Sequence, residues 1–197
     1  MPLKDVMGHR RNALHWLWTQ SLRSAAREQG LEDLKKELSA IVPDITDQYS
    51  NFKVDSAFLN EKVRNLHAFQ IALAGPVINE FDSPVVVDIG DSSGTHLQYI
   101  GGLFAKDKVM RCLSVNLDPK AVERIRKKGF HSICTRAEEL QSYNIAADIF
   151  MCFETLEHLM NPCFFLHELS SKTGAGYLIV TVPYLKRSRV GLHHIRC

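Results

Sequence analysis

Residues 85–94, VVVDIGDSSG, constrain this chain more than any other stretch. Three valines run into an aspartate, and two glycines then frame a short polar turn. An apolar run of this length with no polar alternation reads as a strand buried on both faces, as in parallel sheets. Gly90 and Gly94 permit a tight turn and let a ligand approach the backbone closely. Open α/β sheets bind their ligands in the crevice beyond the carboxyl ends of the strands. A ligand site at the end of this strand is therefore expected, with Asp88 at its base.

The remaining sequence supports such a sheet. After residue 82, apolar runs at 84–89, 109–117, 130–135, 147–153 and 177–182 alternate with helical segments, which predicts five strands of a parallel α/β fold. Asp118, Pro119, Lys127, Lys128 and Gly129 mark the cap, first turn, last turn and stop of the helix after the second strand. A helix is expected to begin near Thr155 and to restart at Asn161-Pro162. Gly101-Gly102 weakens the helix after the first strand. Before residue 82 the periodicity is helical, at 11–29, 31–42 and 55–74, and Gly75-Pro76 is expected to break or kink the third helix. Trp16, Trp18 and the apolar stripe of 58–73 (Phe58, Leu59, Val63, Leu66, Phe69 and Leu73) read as core. The expected organisation is a helical cap at 1–81 and a ligand-binding α/β domain at 82–197.

Several function classes lose support early. The net charge of +2 implies no polyanion, so no nucleic-acid partner is expected. No apolar run approaches the ~18 residues of a membrane span, and the first residues lack the h-region of a secretory signal. Five cysteines without CxxC spacing read as thiols in a reducing compartment, which predicts a cytoplasmic protein. The turn after the first strand lacks the GxGxxG of a dinucleotide site, and no P-loop lysine motif is present. Asp118 ends the second strand, where a carboxylate can accept both hydroxyls of a ribose. A nucleoside with a free ribose fits these features better than a polyphosphate.

Taken in order, these segments resemble the class I S-adenosylmethionine-dependent methyltransferases, over roughly residues 82–185. They look most like the small-molecule group that includes the ubiquinone-biosynthesis O-methyltransferases. VVVDIGDSSG is similar to the family's first motif, with Ser92 where a middle glycine is usual. Asp118 in SVNLDPKAV matches the acid that holds the adenosine ribose. CTRAEEL resembles the segment around adenine, with Arg136 at the usual acid position. ADIFMCFETLEHLMNP and GYLIVTVPY resemble the fourth- and fifth-strand motifs.

The resemblance implies a Rossmann-like, mainly parallel sheet of order 3-2-1-4-5 behind the helical cap, and S-adenosyl-L-methionine as cofactor. Asp88, Gly90, Ser92 and Gly94 would surround its methionine part, and Asp118 its ribose. Backbone groups of Ala137 and Glu138 would meet the adenine, with Phe153 and Ala137 flanking the adenine or sulfonium side. A small-molecule acceptor is implied, and a homo-oligomer is left open. Tyr49 and Phe52, in a segment between helices, are candidate lid contacts. Relatives carry two further strands, a hairpin that finishes the sheet. The chain ends at Cys197, so a fragment of a longer protein is expected.

Glu154, Glu157 and His158 follow the fourth strand. On a helix they would share one face. Three readings are open. His158 could be the general base that takes a proton from an acceptor hydroxyl. The three could bind a divalent metal, completed by His193 or His194, as the similar Glu-x-x-Glu-His of small-RNA ribose methyltransferases implies. Glu154 could contact the cofactor while His158 packs structurally. We take His158 as the catalytic residue, Glu154 as a cofactor contact, and no metal. The basic segment 184–197, YLKRSRVGLHHIRC, reads as a solvated tail or as a cover for an anionic acceptor. A module that binds the nucleoside without turnover is the main rival function, with a nucleotide-dependent oxidoreductase behind it.

Overall fold

The five apolar runs form five parallel strands. The computed structural model describes residues 3–106 and 108–183. Strand β1 is Val85–Ile89, β2 Arg111–Asn116, β3 His131–Cys134, β4 Ile149–Phe153 and β5 Tyr177–Thr181. Their order across the sheet is β3-β2-β1-β4-β5, as the family resemblance implies. Asp88 lies opposite Ser114 of β2 and Met151 of β4 in the register. All five residues of β4 are buried. Val87, Ile89, Val115, Phe150 and Cys152 project to one face and pack in a common apolar cluster with Phe165 and Leu169. The last two lie on helix α6, Pro162–Lys172, which Asn161 caps by accepting from Phe164 N.

Asp148 fastens the amino ends of three strands. Its backbone N donates to Val85 O at 3.0 Å, its carboxylate accepts from Val85 N at 2.8 Å, and its carbonyl accepts from Tyr177 N at 2.9 Å. Among the described residues β5 pairs with β4 alone.

The described residues divide into two compact units that interleave in sequence. One is drawn from Met1–Pro76 and Thr95–Asp107, the other from Val77–Gly94 and Lys108–Cys197. The sheet belongs to the second unit. The first contains helices α1 (Leu3–Glu28), α2 (Glu32–Ile41), most of α3 (Ala57–Asn79) and α4 (Thr95–Phe104). Helix α4 runs through Gly101-Gly102 unbroken. The Ile41 side chain lies where a Cβ on Gly102 would stand, with atoms 2.8 Å away, so the glycine admits α2.

Three sequence expectations need correction. Of the break or kink expected at Gly75-Pro76 the break is absent, since helix α3 continues to Asn79 with Ala74 and Ile78 fully buried on either side of the proline. The stripe it buries includes Val63, His67, Gln70, Ile71 and Ala74, whereas Phe69 and Leu73 are exposed. Spacings of four, three and one residues place the buried five on one face. Two are polar, so an apolar count selects the neighbouring face. On α1, Trp16 and Trp18, expected in the core, are exposed, Trp18 marginally and beside His15 and Phe58.

The polar residues of that α3 face have partners within the first unit. His67 Nδ1 lies 3.3 Å from Tyr99 Oη, and His96 Nε2 lies 3.1 Å from Gln70 Oε1. The two imidazoles meet edge-on at 5.1 Å. Thr95 Oγ1 donates to Gln48 Oε1 at 2.6 Å. Tyr49 and Phe52 stack on each other at 4.5 Å.

Candidate functional site

Because all the strands are parallel, every loop that follows a strand lies at the same edge of the sheet. Four of the five strands deliver the residues selected from sequence to that edge.

Asp88 is fully buried near the end of β1. Gly90 follows with φ +94°, and its N donates to Val115 O at 2.8 Å. A Cβ there would stand 2.1 Å from Thr155 Oγ1, so glycine is required both by the backbone and by the neighbour. Asp91 turns the loop by accepting from Ser93 N at 3.2 Å, while Ser92 between them is half-buried. Gly94 closes the loop at φ +75°.

Asp118 stands two residues beyond β2. It caps helix α5, Pro119–Lys127, by accepting from Lys120 N at 2.9 Å. Asp88 and Asp118 thus flank the same edge of two adjacent strands. Asn116, the last residue of β2, joins the two loops. Its Nδ2 donates to Asp91 O at 3.0 Å, and its Oδ1 accepts from Asp118 N at 2.8 Å. After β3, Ala137 is buried at the start of a 3-10 helix, Ala137–Tyr143. The Glu138 carboxylate lies 3.6 Å from the Arg136 guanidinium and accepts from Met160 N at 3.4 Å.

Beyond β4 the chain departs from expectation. Phe153 is buried, but Glu154 has φ +49°, a conformation uncommon for a residue with a side chain, and its N donates to Thr181 O at 2.9 Å. Thr155 Oγ1 turns back to Phe153 O at 3.0 Å and Ile89 O at 3.3 Å. Only a three-residue 3-10 turn, Leu156–His158, follows. The α-helix expected from Thr155 therefore does not form before Pro162, and Glu154, Glu157 and His158 do not share a helical face. His158 is exposed, with its Nε2 3.9 Å from Glu157 Oε1. His193, His194 and the basic segment 184–197 lie outside the described residues.

Sequence reasoning missed Asn116 and Thr155. The spacing Asn-x-Asp is a turn signal that could have found the first. Thr155 acts across the β1–β4 spacing, and no local pattern announces that. The buried charge of Asp88 also reaches its neighbours. Burial first, and then the Asp88 carboxylate, push the Cys152 thiol up to about 12 and the Cys112 thiol up to about 11.

Residues 87–178 match a family model described as a methyltransferase domain. No curated protein is matched significantly. Among solved structures, coclaurine N-methyltransferase bound to N-methylheliamine and SAH is 16% identical, with 86% of this chain and 57% of that chain covered and a TM-score of 0.51. The plantazolicin methyltransferase BpumL in complex with SAH is 17% identical, covering 74% of this chain and 57% of that one at a TM-score of 0.48. The small RNA methyltransferase HEN1 is 23% identical, covering 58% and 16% at a TM-score of 0.47. The chain thus spans between 16% and 57% of the length of these neighbours. None of these matches singles out the ubiquinone-biosynthesis group. Residues 87–178 are thus similar to the methyltransferase-domain family over somewhat less than half of the chain, and the sheet has the strand order of the class I methyltransferase fold.

Proposed function

We propose that this chain is an S-adenosylmethionine-dependent methyltransferase whose acceptor is a small molecule. The observation that carries this is the shared edge of β1 and β2. A buried carboxylate and a glycine-framed loop stand there beside a second carboxylate, Asp118, within a methyltransferase-family segment. The donor set suits a sulfonium nucleoside. A carboxylate offers about four lone-pair positions, a chemistry that suits the two hydroxyls of a ribose, and Asp118 caps α5 from the same group. In the coclaurine N-methyltransferase structure a fold of this kind holds SAH, which supports the choice of nucleoside.

The cofactor's sulfonium supplies an intrinsically reactive methyl group. The work left to the chain is positioning and proton removal. Asp118 accepts hydrogen bonds from the ribose hydroxyls. The Gly90–Gly94 loop, with Asp88 beneath it and Ser92 within it, receives the methionine part. Ala137 and Glu138 present backbone groups to the adenine, with Phe153 and Glu154 bordering the same nucleoside. His158 takes the proton when the acceptor atom is a hydroxyl oxygen. Its exposure lets it pass that proton to solvent. No helix among the described residues is long and apolar enough to cross a membrane. The proposed setting is cytoplasmic.

Calorimetric titration with S-adenosylmethionine, beside a cofactor-turnover assay on a panel of small acceptors, tests this reading. Binding that Asp118→Ala removes, with turnover on at least one acceptor, is expected. Binding without turnover on any acceptor would replace the enzyme by a nucleoside-binding module. No binding at all would refute both.

A further inference from the structure

Asn116 has both halves of its side-chain amide committed, and to different loops. Nδ2 donates to the carbonyl of Asp91 in the loop after β1, and Oδ1 accepts from the backbone N of Asp118 in the turn after β2. The orientation of the amide is forced. A carbonyl can only accept and a backbone N–H can only donate, so an exchange of the two amide atoms would lose both bonds. The backbone carbonyl of Asn116 also accepts from Thr135 N at 3.1 Å, which adds the loop after β3. One residue at the end of a central strand therefore sets the spacing of three ligand-edge loops.

The hydrogen bonds on either side continue the pattern. Asp91 accepts from Ser93 N, and Asp118 accepts from Lys120 N, each two residues ahead. Two side-chain turns of the same type stand on either side of the amide, and the amide is the tie between them. Each turn shapes its own loop. The Asn116 side chain relates one loop to the other.

We propose that Asn116 is a positioning residue for the cofactor. It acts as a strut that fixes the separation between the loop for the amino-acid part and the carboxylate for the ribose. The inference rests on the cofactor reading above and adds a residue whose side-chain amide is taken up by the two loops rather than offered to the ligand. A strut between two subsites matters to a ligand that spans both and is nearly irrelevant to one that fills a single subsite. That distinction separates positioning from a general structural role.

The test compares S-adenosylhomocysteine, which spans both loops, with adenosine, which reaches only the ribose and adenine side. Asn116→Asp keeps the acceptor for Asp118 N and replaces the donor to Asp91 O by an oxygen. Asn116→Ala removes both. For Asn116→Asp the expected result is a loss of about tenfold in affinity for S-adenosylhomocysteine, the scale of one net hydrogen bond, with adenosine affinity changed less than about threefold. Equal losses for the two ligands, or S-adenosylhomocysteine binding within about threefold of wild type in both variants, would overturn the proposal. Wild-type protein that binds neither ligand would instead sink the cofactor reading, and the strut with it. If neither variant folds, amide hydrogen exchange on the free wild-type protein decides. The Asp118 N–H is expected to exchange slowly, and unprotected exchange there overturns the strut.

Discussion

Replacing Gly90 with alanine should damage the protein through two separable causes. The first is conformational: φ at Gly90 is +94°, beyond the left-handed region that a side chain tolerates, at a cost of about 1–2 kcal/mol. The second is steric. The new Cβ would stand 2.1 Å from Thr155 Oγ1, 3.0 Å from its Cγ2 and 3.1 Å from its Cβ. Rotating Thr155 gives up its contacts with Phe153 O and Ile89 O and leaves its own Cβ in the way. Overpacking of this kind costs about 1–3 kcal/mol. The sum, about 2–5 kcal/mol, is a large share of the 5–15 kcal/mol typical of a whole domain. Urea denaturation of wild type, Gly90→Ala, Thr155→Gly and the double variant measures both parts. The double variant should recover the steric part, a coupling of about 1–3 kcal/mol, and retain the conformational part. A loss below about 1 kcal/mol in Gly90→Ala, or strict additivity of the two substitutions, would refute the argument.

Two further outcomes are expected. Burial, reinforced by His96 and the Arg64 guanidinium, holds the His67 imidazole well below the ordinary histidine range. Below about pH 6.5 the unfolded chain takes up a proton that the folded chain refuses, so stability should fall with falling pH by about 1.4 kcal/mol per pH unit until the folded pKa is reached. Urea melts from pH 7.5 to 5 should show this slope reduced by one proton in His67→Gln, and an unchanged slope contradicts it. The buried Cys152 thiol, pushed up to about 12, should resist iodoacetamide in native protein at pH 8, while the exposed Cys134 and Cys163 react. Peptide mass spectrometry after brief labelling reads this, and Cys152 modified as fast as Cys163 would contradict it.

The strands were legible because parallel, doubly buried strands leave uninterrupted apolar runs. Each observed strand lies within two residues of its expected limits. The turn after β1 was legible from its glycines, and Asp118 from the Asp-Pro that opens α5. What escaped reading depends on neighbours distant in sequence. Glu154 adopts a positive φ beside a bond to Thr181 of β5, so the apparent helical spacing of Glu154, Glu157 and His158 carries no helix. Helix α3 survives its proline, and its buried face is marked by His67 and Gln70, whose polarity conceals it from any hydrophobicity count. Asn116 looks like an ordinary strand-end residue until both loops are placed.

The chain passes from one compact unit to the other three times, at 76–77, 94–95 and 107–108. No single backbone cut can release either unit whole. Trimming the first eighty residues to isolate the sheet would strip α2 from α4 and leave Gly102 without the isoleucine it accommodates. Excising 95–107 as well would join Gly94 directly to Lys108 and delete the crossover between β1 and β2. Expression trials that shorten this protein from its amino end should therefore yield insoluble material well before the ligand edge itself is reached.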